Sequence, residues 1–200
     1  MGIFQDLKWG AFLFMVKKMA QPKVFLPAKL VCGIIASNEA HFEKAEEELV
    51  VLYGPVDLKS PLFAFDITRY YEAEMGACLG RRFLSFEKLV SPERLSDIKL
   101  ETNSLERKLA LAFGAPSRPV NLDPGILRPS SLIMATAKDF SHRVPLAHGI
   151  YAHLELLFVK NAVKVLDWTY PDFRQEGYQA FFLQARRLLL RQLKSLPPRS

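Results

Sequence analysis

Lys138, Asp139, His142 and Arg143 fall within the six residues KDFSHR. An acid, an imidazole and two cations that close in sequence can bind a phosphate group or pass a proton. The same residues also describe a solvated turn with local ion pairs, which is common and energetically cheap. A second polar segment, Asn121 to Gly125 (NLDPG), has turn chemistry, because Asn and Asp bond their own backbone and Pro-Gly bends the chain. A functional reading of it makes the Asp123 carboxylate a base, a metal ligand or a ribose acceptor beside Asn121.

Two further segments join these. Asp66 to Gly76 (DITRYYEAEMG) carries Asp66, Tyr70, Tyr71, Glu72 and Glu74, and Trp168 to Arg174 (WTYPDFR) carries Trp168, Tyr170, Asp172 and Arg174. Trp168 and Tyr170 can stack on a base or close the core. Asp172 is placed to cap the last helix, with Pro171 setting its entry. Each segment sits at the end of an element, where rigid scaffolds usually present binding groups. The expectation is one polar cleft in which Asp123, Asp139 and His142 do acid–base work, joined by Asp66, with Arg143 or Arg82 at its rim and Arg82, Lys138 and Arg143 gripping an anion.

Other chemistries have no support. His153 and Glu155 are two apart on an expected strand and share a face, yet no HExxH or paired Cys-His spacing accompanies them, so no metal site is expected. GxxxxGK[ST], GxGxxG after a strand and GxSxG are missing, which disfavours P-loop, dinucleotide and α/β-hydrolase chemistry. No cofactor is identified.

The elements that would position these groups read as follows. Lys29 to Ala36 (KLVCGIIA) is a continuous apolar run with β-branched residues, read as a central strand. Ser37 or Asn38 caps a helix with the stripe Phe42, Ala45, Leu49 and Leu52, ended by Gly54-Pro55. Pro61 to Asp66 is the expected second strand, and Arg82 to Leu89 alternates as a strand. Ser91-Pro92-Glu93 starts a short helical turn, and Asn103 to Glu106 resembles a capping box leading a helix that ends at Gly114. Ser131 to Ala137 fits a strand or a helix. Arg143 to Leu146, Ile150 to Val159 and Val163 to Trp168 read as an antiparallel meander. Tyr178 to Leu193 traces a long amphipathic helix. The fold class expected is α+β: a single domain over residues 24–196, with a mostly antiparallel mixed sheet, helices on one face and a C-terminal amphipathic helix.

Composition supports a folded core, since 50% of the 200 residues are apolar and 12% aromatic. The net charge of +6 lies at the ends: Lys8, Lys17, Lys18 and Lys23 stand against Asp6, and six cations from Arg174 onward stand against Glu176, leaving residues 24–173 at −2. A general polyanion surface therefore does not follow, and the last helix is expected to show Arg186, Arg187 and Arg191 as a solvated basic face. Two cysteines without a CxxC fit reduced thiols and a cytoplasmic location. The longest apolar run near the start, Trp9 to Val16, is too short to span a membrane. Residues 1–23 read as an extension: either an amphipathic helix or an over-extended start, with Met19 the favoured first residue. Residues 197–200 read as a disordered tail.

The chain resembles the bacterial family catalogued as domain of unknown function 4416. The resemblance rests on FDITRYYEAEMG, RRFLSFEKLVSPERLSDIKLETNSLE, VNLDPGIL, ATAKDFSHRVPLAHGIYAHLEL and WTYPDFR, and covers roughly residues 27–190. It implies that the four segments are parts of one site comprising Asp66, Tyr70, Tyr71, Glu72, Glu74, Arg82, Asn121, Asp123, Gly125, Lys138, Asp139, His142, Arg143, Tyr151, Trp168, Tyr170, Asp172 and Arg174. Three positions depart from the family pattern: Ile126 where Tyr is usual, His153 where Glu is usual, and Ala137 where Thr or Ser is usual. Two functions are carried forward. One is an enzyme or ligand-binding protein for a small anionic, phosphate-bearing molecule. The other is a non-catalytic module that binds RNA or protein through the basic last helix and nearby aromatics.

Overall fold

The computed structural model describes residues 21–67, 71–115 and 117–197. The expectations for residues 1–20 and for the tail 198–200 lie outside them, as does Tyr70 and the side chain of Glu72. Strand β1, Ala28–Ala36, is buried along its whole length. It lies between β4, Gly80–Val90, and β5, Val120–Leu127. Beyond β4 are β2, Val56–Lys59, and the short β3, Phe63–Ala64; beyond β5 come β6, Ser131–Thr136, and β8, Tyr151–Val159. β7, Val144–Pro145, and β9, Ala162–Val165, both pair with β8. Among the described residues these nine strands form one sheet, ordered β2-β4-β1-β5-β6-β8-β7 with β3 on β4 and β9 on β8, and every pairing is antiparallel.

The α+β class, the antiparallel sheet and the long last helix stand as expected, but helices cover both faces of the sheet. Leu30, Cys32 and Ile34 of β1 pack on Phe42, Ala45 and Leu49 of α1, Glu39–Tyr53, and on Ile98, Leu105 and Leu109 of α3, Leu95–Ala112. Val31 and Phe83 face the other way, against Tyr178, Phe181, Phe182 and Ala185 of α4, Glu176–Ser195. The physical reason is already in β1: a strand with apolar residues on both faces must be covered twice. A single turn, α2, spans Glu72–Met75.

Two local expectations change. The 3-10 turn Pro92–Arg94 runs straight into α3, so Asn103 to Glu106 lies mid-helix instead of starting one. The continuous inward stripe Leu95, Ile98, Leu105 and Leu109 outweighs the local capping signal. NLDPG is no turn; it forms the middle of β5. Proline is tolerated there because the β5–β6 ladder begins only at Gly125, paired with Met134. Residues 120–124 therefore pair with β1 alone, and the missing N–H of Pro124 falls on an open edge.

Candidate functional site

The divergence of β6 from β5 creates the site. Side chains of α3 take over the open edge that β6 leaves. Glu106 Oε1 accepts from the Leu122 N–H at 2.6 Å, and Lys99 Nζ donates to the Leu122 carbonyl at 2.7 Å. Lys99 and Glu106 are two helical turns apart and so share the inward face of α3. Both are buried. They stand in for a missing strand, which satisfies backbone groups that could not be left bare. Burial lifts the Glu106 carboxyl above its ordinary range, against the opposing pull of Lys99, the Leu122 N–H and Arg118.

The space beyond is a cleft of about 780 Å³, bounded by α3, β5, the end of β6, the side chains of Phe65, Ile67 and Tyr71, and Tyr170 to Phe173. That size suits a small molecule. On its floor the buried Arg81 guanidinium bridges two carboxylates. Its Nη2 is 2.9 Å from Asp123 Oδ2, and its Nη1 donates to Asp172 Oδ2. The Phe65 ring lies against the guanidinium, 4.6 Å from centroid to Cζ. Burial lifts the Asp172 carboxyl above its ordinary value in spite of Arg81. Asp123 is the more open of the pair, and Arg81 engages only its Oδ2. Beside them the Asn121 amide Nδ2 is buried without a hydrogen-bond partner among the described residues.

His153 closes one end of the cleft. Its Nε2 is 2.9 Å from Glu155 Oε2, and both side chains are fully buried. Its Nδ1 receives Arg143 Nε at 3.2 Å and lies 3.1 Å from His142 Nε2. Its ring stacks on Tyr170, with centroids 4.9 Å apart and planes at 16°. Glu155 Oε1 in turn accepts from the Tyr170 N–H at 2.8 Å. Burial raises the Glu155 carboxyl, opposed chiefly by His153.

The expected site residues divide into three groups. Asn121, Asp123, Lys138, Tyr170 and Asp172 line the cleft. His142 and Arg143 stand behind its wall and reach it through His153 and Tyr170. Tyr71 also lines the cleft, and the other described members lie outside its lining. Asp139 is exposed and outside the lining, so Asp123, Asp139 and His142 do not share one point. Asp66 lines a different hollow, with Asn38, Glu39 and Cys78. Arg82 is not at the rim: it is bound to Glu39 and Glu46 of α1. Trp168 donates its Nε1–H to the Leu154 carbonyl and stacks on His142, and Arg174 ties down the carbonyls of Leu166, Asp167 and Thr169. Asp172 does not cap α4, whose N-cap is Gln175.

Arg81, Lys99, Glu106, Arg107 and Arg118 are charged lining residues that sequence reasoning missed. Strand alternation could have separated Arg81 from Arg82, and the two-turn spacing on α3 could have paired Lys99 with Glu106. Among the described residues around the cleft, five cations (Arg81, Lys99, Arg107, Arg118, Lys138) face three carboxylates (Glu106, Asp123, Asp172). Among the described residues no group of three His, Cys, Asp or Glu side chains converges for a metal. No helix among them is long and apolar enough to cross a membrane.

No match to the chain was found among curated proteins or among solved structures. The family model described as a domain of unknown function, number 4416, matches residues 26–188, spanning the sheet, the cleft and most of α4. The chain therefore belongs to the domain-of-unknown-function family 4416.

Proposed function

We propose that the cleft binds a small anionic ligand, with a phosphate-bearing molecule as the favoured class. The observation that carries this is the excess of cations around a cavity of ligand size. A cleft whose lining carries a net positive charge concentrates anions. Phe65, Tyr71, Met134 and Phe173 add an apolar lining, so the ligand has an apolar body as well as a charged end. Asp123, with one oxygen outside the Arg81 contact, is the side chain placed to exchange a proton with that ligand if the protein is an enzyme. The free thiols Cys32 and Cys78 support a reducing compartment, in keeping with a cytoplasmic bacterial protein. The RNA-binding alternative loses part of its surface, because Arg186 is drawn onto the carbonyls of Pro129 and Lys160.

Native mass spectrometry of freshly purified protein tests the reading and is expected to show a bound anion. Titration with inorganic phosphate is the second arm, with Arg118→Ala and Lys138→Ala each weakening binding by about tenfold. A protein that carries no ligand and takes up no phosphate would overturn the proposal.

A further inference from the structure

Ala137 and Lys138 line the cleft, and Arg143 fastens the segment that follows them. Arg143 donates to three acceptors, one in its own segment and two outside it: Nη1 to the Lys138 carbonyl at 2.6 Å, Nη2 to the Tyr170 hydroxyl at 2.6 Å, and Nε to His153 Nδ1 at 3.2 Å. The first of these bonds holds Lys138 where it lines the cleft. The other two tie the segment to β8 and to the Tyr170 turn.

Guanidinium nitrogens only donate, so His153 Nδ1 must present its lone pair. The His153 proton then sits on Nε2, which lies 2.9 Å from Glu155 Oε2 without the alignment of a hydrogen bond. His142 Nε2, 3.1 Å from the same Nδ1, must also be a donor. The neutral His142 ring is held flat against Trp168, with centroids 5.1 Å apart and planes at 10°. The fastening thus needs an acceptor nitrogen on His153 and tolerates no further positive charge beside Arg143.

We propose that residues 137–143 are an acid-released latch on the cleft, with His142 as its sensor. Its effect on ligand capture rests on the anion reading above; the latch itself does not. A proton on His142 places a second cation against Arg143 and beside His153. The groups facing His142 are His153, Arg143 and the rings of Phe140 and Trp168. Those facing His153 are Glu155, Tyr170, Arg143 and His142. Glu155 is the only carboxylate among them, and Tyr170 N–H and His153 share it.

Burial first, then His153 and Arg143, push His142 below its ordinary value of 6.5. The fastened state therefore prefers the neutral ring, and protons favour the released state. The latch holds above about pH 6.5 and is lost as pH falls below that value. Release removes the Arg143 bond that positions the Lys138 backbone beside the cleft.

Hydrogen exchange on the full chain, without ligand, tests this at about pH 7.5 and about pH 5.5, corrected for the intrinsic pH dependence of exchange. Protection of the amides at 138–143 is expected to fall about tenfold at the lower pH while that of β1 is unchanged. His142→Gln, which keeps a donor but no titration, is expected to stay fastened at both values, and Arg143→Ala to be open at both. Unchanged protection at the lower pH, or an equal fall in His142→Gln, would overturn the latch.

Binding of inorganic sulfate, a dianion at both pH values, separates the two readings. The general rise in positive charge on acidification would strengthen it; the latch predicts weaker binding in the parent and no weakening in His142→Gln. Exchange that behaves as expected with no sulfate bound at either pH supports the latch and counts against the anion site alone.

Discussion

Arg81 and Arg82 are neighbours in sequence and serve opposite faces of the sheet. Arg81 bridges Asp123 and Asp172 under the cleft; Arg82 bridges Glu39 and Glu46 on α1. The alternation of β4 sends one guanidinium to each side. Phe83 and Leu84 repeat the split, one packing on α4 and the other beneath α1 and α3. The cleft's fixed cation is therefore Arg81, and its neighbour belongs to the scaffold.

Arg81→Met is expected to lower stability by on the order of 3–5 kcal/mol in urea denaturation, because it leaves the buried Asp172 carboxylate without its cation. Arg82→Met should cost less, since Glu39 is half exposed and water can solvate it. Adding Asp172→Asn to Arg81→Met should restore part of the loss. Equal costs for the two single changes, or no recovery in the double, would show that the floor bridge is not a buried clamp.

Glu106 gives a pH dependence of known sign. Its carboxyl is raised above its ordinary value by burial in the folded chain. The native state then holds a proton that the unfolded state has lost, so stability falls as pH rises from about 4.5 through the raised value. Glu106→Gln keeps an acceptor for the Leu122 N–H and has nothing to ionise. Its stability relative to the parent is expected to improve with rising pH over that window, read from paired denaturation curves. A constant difference would mean that the Glu106 charge carries no burial cost.

Much of the scaffold was legible because apolar patterning is local. The run KLVCGIIA and the stripe of α4 could be read directly, and so could the cap and stop of α1 at Asn38 and Gly54. The site was less legible because it depends on where pairing ends. NLDPG carries turn residues, yet it extends along β1 because only one of its edges is paired. Nothing local marks Lys99 and Glu106 as partners of a strand edge, because that role exists only where β6 turns away. His153 and Glu155 were visible as a same-face pair. Their mutual contact and the fastening by Arg143 needed the long return of the chain from β6 to β8.

The last helix separates its arginines. Arg186 donates to Pro129 O at 2.6 Å and Lys160 O at 3.0 Å, and lies over the Phe158 ring, so it ties α4 to two sheet turns. Arg187 and Arg191 are exposed and, among the described residues, donate to carbonyls of their own helix. Arg186→Ala should cost about 1–3 kcal/mol, whereas the same change at Arg187 or Arg191 should stay within about 0.5 kcal/mol. Thermal melts of the three variants decide it. Equal effects would restore Arg186 to a uniform basic face.

Gly125 marks the point where β6 leaves β5, and replacing it tests how the cleft is made. A Cβ at this position would sit 2.5 Å from Met134 Sδ and 2.9 Å from the Ile133 carbonyl oxygen. The sulfur can swing aside, but the carbonyl is backbone in a paired strand and can move only with β6. Gly125→Ala is therefore expected to cost roughly 1–3 kcal/mol as an overpacked site. It should also displace the Ile133–Met134 segment, and with it the Met134 side chain that lines the cleft. Adding Met134→Ala should relieve the sulfur contact and leave the carbonyl contact, so recovery should be partial. Urea denaturation gives the stabilities, and hydrogen exchange at residues 132–136 reports the displacement. A loss below about 0.5 kcal/mol with unchanged exchange would show that β6 can yield at this point, and that the close approach at Gly125 does not set the opening of the cleft.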